Sequence, residues 1–229
     1  MSRQQPLALA PPAGSADWSE RSLLDPPTRK ALQSLNRAFL ALAADLAEEG
    51  RLRLIAGLPP RAVDALIDPE AGGRLCERLP VALFDLRFAD GPWWEAQVAA
   101  AGAVQDAEPV PAVDERIAGF TRPVVMLAWH LAQTRSASAR LMFGTVPAVL
   151  AALAAMPVAA TDALVRRVAP ALTARFSART RFWLQFEGCA ARPDPRAVDV
   201  LQQLGLQIHG ADSARQQALQ RRPRRAARG

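Results

Sequence analysis

A chain of 229 residues, half of them apolar, is long enough to bury one large core or two small ones. Tyr is absent, Ala is abundant and Val, Ile and Thr runs are scarce, a balance that favours helices over sheets. The net charge of +6 hides an asymmetry: residues 1–115 hold 11 Arg/Lys and 17 Asp/Glu, residues 116–229 hold 17 and 5, so the halves can attract each other or the second can meet an acidic partner.

Residues 1–24, with Pro6, Pro11, Pro12 and Gly14, lack periodicity and are expected as a disordered lead. Asp25-Pro26 supplies an acidic N-cap followed by proline at the first helical position. Leu32, Leu35, Phe39, Leu42 and Leu46 then recur at spacings of 3, 4, 3 and 4, one apolar seam suited to a partner helix. Gly50 closes this helix, and a short one through Leu52–Ile55 ends at Gly57. Pro60 opens another to about Leu66, and Asp68-Pro69 repeats the cap signal for a helix over roughly Pro69–Arg78. Val81–Phe88 alternates and is expected as an extended arm or edge strand, with Leu83 and Phe84 buried. Pro92-Trp93-Trp94 starts a helix reaching about Ala101, and Gly102–Arg116, with Pro109 and Pro111, is the expected linker.

The second half follows the same plan. Thr121 is expected to cap a helix whose seam is Val124, Leu127 and Leu131; a short helix follows to Phe143, ended by Gly144. Helices Pro147–Ala155 and Pro157–Val168, an arm over Leu172–Phe176 and a helix over Arg179–Phe186 come next. Past the Pro193–Pro195 break, Arg196–Leu204 and Ala211–Arg221 are expected as two helices about a Gly205-centred turn, before a basic tail. The expected plan is therefore all-α. It comprises an acidic unit at 25–104, a linker at 105–120, a basic unit at 121–190, a helix pair at 191–220 and a tail at 221–229.

Leu42, Leu46, Gly57, Pro60, Leu66, Arg78, Arg87 and Phe88 fall opposite Leu127, Leu131, Gly144, Pro147, Leu153, Arg166, Arg175 and Phe176, as expected of a duplicated unit. Joined in one chain, the two seams would pack as an intrachain pseudo-dimer at high effective concentration. Leu35 to Leu46 resembles the opening helix of the FlhD family, the D subunit of the FlhD/FlhC flagellar transcriptional activator. Leu127-Ala128, Leu131, Ala137, Ala139, Gly144, Val149, Leu153, Leu164 and Arg175 resemble that family over a longer span. The resemblance implies an all-α protein that pairs with its own kind, binds a FlhC-type subunit and acts in transcription. The family's cysteine ahead of the arm would fall at Phe84 and Leu172, so no inter-subunit disulfide is implied.

Other chemistry is not legible. Cys76 and Cys189 are too few and too far apart for a tetrahedral zinc set, and no P-loop, HExxH, GxSxG or Rossmann fingerprint occurs. His130 and His209 are each expected as packed or half-exposed side chains, and no enzyme, metal, cofactor or small-molecule substrate is expected. Arg179, Arg181, Arg192, Arg196, Arg221, Arg222, Arg224 and Arg225 either neutralise DNA phosphates or form a solvated basic surface. Trp93, Trp94, Phe182 and Trp183 either plug the core under the arms or form a partner surface. The uncharged run between Arg140 and Asp162 is broken by Pro147 and Pro157 and is expected in a core, not a membrane. Two cysteines and no secretory signal suggest a cytoplasmic setting. Beside transcriptional regulation stand two alternatives: a helical adaptor with no promoter role, or a decoy that withholds the C-type partner.

Overall fold

The structure is a computed structural model that describes residues 24–58, 69–103, 112–192 and 194–221. It is mostly helical, with one two-stranded pairing. Helix α1 (Pro26–Glu48) starts where the sequence signals it: the Asp25 carboxylate accepts a hydrogen bond from the Thr28 amide at 3.1 Å, and proline occupies the first turn. A 3-10 turn (Leu52–Leu54) and helix α2 (Pro69–Cys76) follow. The expected helix over Pro60–Leu66 lies outside the described residues. Strand β1 (Phe84–Asp85) and helix α3 (Gly91–Gly102) complete the first half. Leu24, assigned above to the lead, is buried in the core.

The second half runs α4 (Glu115–Thr134), α5 (Ser136–Phe143), α6 (Pro147–Ala155), a 3-10 turn (Val158–Ala160) and α7 (Thr161–Val168). After a further 3-10 turn (Ala169–Ala171) come strand β2 (Thr173–Ala174), α8 (Thr180–Ala191) and α9 (Pro195–Arg221). Two expectations are corrected here. The stretch 115–120, expected as linker, is the first part of α4, capped by Asp114, whose carboxylate accepts from the Arg116 amide at 2.9 Å. Ile117 and Phe120 are core residues, so burial draws the helix back past Thr121, which lies inside it. The expected helix pair is also one continuous helix: α9 runs through Gly205 without a turn. Each glycine in a helix costs only about 1 kcal/mol, and Leu206 and Ile208, beyond Gly205, pack against the core.

α1 lies against α4, and each of these long helices carries a short one, α2 on α1 and α7 on α4. The helices that follow the strands cross over, so that α3 packs on α7 and α8 packs on α2. Between them β1 and β2 pair antiparallel, Phe84 opposite Ala174 and Asp85 opposite Thr173. The β1 segment also reaches the far half: the Ala82 amide donates to the Met142 carbonyl at 2.9 Å, and the Val146 amide to that of Phe88 at 3.2 Å. The β2 segment answers by donating from Ala174 to Ala56 at 2.8 Å. Aromatic rings fill the crossing, with Phe39, Phe84 and Phe120 in mutual contact at 5.1 to 5.8 Å between centroids.

Local geometry recurs between the halves. From Ala31 to Gly50 the burial pattern matches that of Arg116 to Arg135 at each position, except that Leu42 is buried and Leu127 half-buried. α3 and α8 are both 12 residues long. The Trp94 indole donates to the Leu86 carbonyl at 3.0 Å and the Trp183 indole to that of Arg175 at 3.2 Å, each eight residues back. The next residue in both cases is left-handed, Arg87 at φ 57° and Phe176 at φ 60°. The Arg-Phe pairing read from sequence is therefore out of step by one position, because hydrogen bonds rather than residue identity fix the register here.

Candidate functional site

The seam residues Leu32, Leu35, Phe39, Leu42 and Leu46 are all buried on α1, as are Val124 and Leu131 on α4. Leu127 is only half-buried; the buried line on α4 runs Ile117, Phe120, Val124, Ala128 and Leu131, and leaves Leu127 at its margin. Asn36 fastens the first arm to this core: its amide donates to the Val81 carbonyl at 3.0 Å and accepts from the Leu83 amide at 2.9 Å. Ion pairs of opposite-sign halves frame the seam, Arg116 with Glu49 at 2.6 Å and Arg135 with Asp25 at 3.1 Å. The Arg116 hydrogen bonds hold the Glu49 carboxyl below its ordinary range. Arg51 and Asp114 add a third pair at 2.7 Å.

Of the four aromatics offered as a partner surface, Trp94, Phe182 and Trp183 are fully buried and cannot serve as one. The indole N–H groups of Trp94 and Trp183 find carbonyls inside the arms, so burial costs no unpaired donor. Trp93 differs: it is half-buried, with the Arg87 guanidinium over its ring at 4.8 Å.

The arginines separate as sharply. Arg179 is tied to Asp212 at 2.7 Å. Arg181, Arg192 and Arg196 are exposed and have no carboxylate partner among the described residues. Arg181 lies in the first turn of α8, beside the exposed Leu184, and Arg192 is the extended residue that ends the helix. The Arg221 side chain and Arg222, Arg224 and Arg225 lie outside the described residues.

A cleft of about 180 Å³ opens between the β2 turn, the end of α5 and α9, lined by Asp85, Gly144, Arg175, Ser177, His209 and Asp212 among others. Gly144 is left-handed at φ +68°, and a Cβ there would sit 2.6 Å from Arg175 Nη2, so glycine serves both the turn and the guanidinium. Arg175 donates to the Met142 carbonyl at 2.6 Å, at the carbonyl end of α5, and meets His209 Nδ1 at 2.8 Å. Burial lowers the Arg175 pKa to about 10, and burial with the Arg175 charge lowers that of His209 to about 4. A histidine held neutral this way is a poor general base; Arg175 and His209 act as a latch between α5, β2 and α9. Burial likewise pushes the Cys76 thiol up to about 12, which makes it an inert core group.

Among the described residues no single helix is long and apolar enough to cross a membrane. The uncharged run after Arg140 is split between α6 and the following helices, bent by 106°, with Val149, Leu150 and Leu153 buried in the protein's own core. Comparison with family models, curated proteins and solved structures finds no match to this chain.

Proposed function

We propose that the chain is a tandem-duplicated, FlhD-like transcriptional regulator, working chiefly through protein contacts and touching DNA only at the phosphate backbone. The exchange of α3 and α8 carries the duplication: α3 sits on α7 while α8 sits on α2, the reciprocal contact expected of an isologous dimer. The recurring indole bonds and left-handed residues support the same reading. A subunit that elsewhere pairs between chains here pairs with its sister within one chain.

Arg181, Arg192 and Arg196 are the residues proposed for phosphate contact, being exposed and free of carboxylate partners. The test is retention on nonspecific duplex DNA. Retention is expected to fall steeply with salt, and replacing all three arginines by serine should lower the salt slope by roughly two to three. An unchanged slope removes these residues from the proposal. No retention by the unaltered chain favours the adaptor reading, in which the protein contacts stand alone. Co-purification with a zinc-bearing FlhC-type subunit supports the transcriptional reading or the decoy, and DNA retention by that complex separates the two.

A further inference from the structure

The two halves differ most in what covers their last matched helix. α9 packs on α8, with Gly205 against the Phe182 ring at 3.4 Å, and Phe182, Phe186 and Cys189 on α8 are buried. The matching positions on α3, taken from the equal helices and their tryptophans, are Trp93, Gln97 and Ala100. All three are only half-buried. α3 itself lies against α6 and α7, but Trp93, Gln97 and Ala100 stay half-buried where their α8 counterparts are buried.

Charge marks the same difference. Arg78, just past the end of α2, pairs with Asp199 of α9 at 2.7 Å. The residue in the place of Arg78 on α7 is Arg167, which has no carboxylate partner among the described residues, and Arg166 beside it has none either. At the other end, Asp90 stands in the place of Arg179; it is already occupied by capping α3 and pairing with Arg87. The face therefore has an aromatic anchor, a cationic end and a satisfied far end.

We propose that the α3–α7 face is a docking groove for an amphipathic helix of a protein partner that carries a carboxylate near its N-terminal end, seated there as α9 is seated on α8. Its carboxylate meets Arg167, and a small residue about two turns on, as Gly205 stands to Asp199, lies against Trp93. A half-covered tryptophan in a polar rim is the kind of anchor on which interface energy concentrates. The proposal rests on the duplicated-unit reading in the register set by the paired strands and the two tryptophans, which places Arg167, one residue past the Arg166 matched from sequence, opposite Arg78.

The experiment titrates the full chain against a labelled synthetic peptide copying residues 195–215, followed by fluorescence anisotropy. Saturable one-to-one binding is expected, weakened at least tenfold by Arg167→Glu and by Trp93→Ala. The Asp199→Lys peptide should recover binding to the Arg167→Glu chain, while Arg78→Glu should leave the original peptide's affinity unchanged. Dependence on Arg78 instead of Arg167 would mean that the peptide invades α9's own seat, and would overturn the proposal. Absence of binding overturns it too, as does a chain that self-associates through Trp93 without taking up peptide. A failed duplication reading shows itself separately, in whether the two halves stay together once the chain is cut between them.

Discussion

Asn36 and Thr121 stand at matching points of α1 and α4, both fully buried, with opposite hydrogen-bond outcomes. The Asn36 side chain serves a buried carbonyl and a buried amide, whereas the Thr121 hydroxyl has no partner among the described residues. Removing one side of a satisfied buried pair leaves the other unsolvated, so Asn36→Ala is expected to cost about 2–4 kcal/mol in urea unfolding. Thr121→Val removes an unpaired hydroxyl at nearly constant shape and is expected to be neutral or to stabilise by up to about 1 kcal/mol. Equal losses in the two variants would show that neither hydrogen-bond account is right. Asn36 is inconspicuous in the sequence among the seam leucines; its one signal there is a lone amide on an apolar seam.

At the scale of elements, the attachment of α9 involves a half-buried titratable group. His209 faces Arg175, Asp212 and Arg140, and its folded pKa of about 4 lies below the 6.5 of a free imidazole. A depressed pKa means that the undocked helix binds the proton more readily. The contribution is whole above about pH 6.5, fades as pH falls toward 4, and changes no further below that. Hydrogen exchange along α9 should therefore lose protection between pH 7 and pH 4.5, by at most roughly tenfold per pH unit. His209→Gln should flatten that pH dependence; if the variant loses protection equally, other groups govern the docking. The sequence suggests two helices there because Gly205 resembles turn punctuation, yet Gly205 lies inside one helix, packed against Phe182 and Val81, with Leu206 and Ile208 beyond it on the core.

At the scale of the whole molecule, the crossing of α3 and α8 makes each half incomplete without the other. A protease site inserted within residues 104–111, between α3 and α4, should be cleavable with the two pieces still co-eluting in size exclusion. They should part only in denaturant, because the seam, the paired strands and both crossed helices hold them. Prompt separation after cleavage would sink the pseudo-dimer. Glu49–Arg116, Asp25–Arg135 and Arg78–Asp199 bridge the halves at exposed or partly exposed positions. Such pairs contribute little each, so added salt alone should not separate the pieces.

Signals that act over one or two turns were legible in the sequence: the Asp25-Pro26 start of α1, the left-handed Gly144, the buried leucine seam and the short arms near Phe84 and Thr173. Each is decided by the backbone or by the apolar spacing of a few neighbouring residues. The early start of α4, the unbroken α9, the complete burial of Trp94, Phe182 and Trp183, and the unequal covering of α8 and α3 were settled by tertiary structure. These depend on which distant segment removes a surface from water. That choice is made by packing between residues up to a hundred or more positions apart, as Arg78 and Asp199 are, and local spacing carries no record of it.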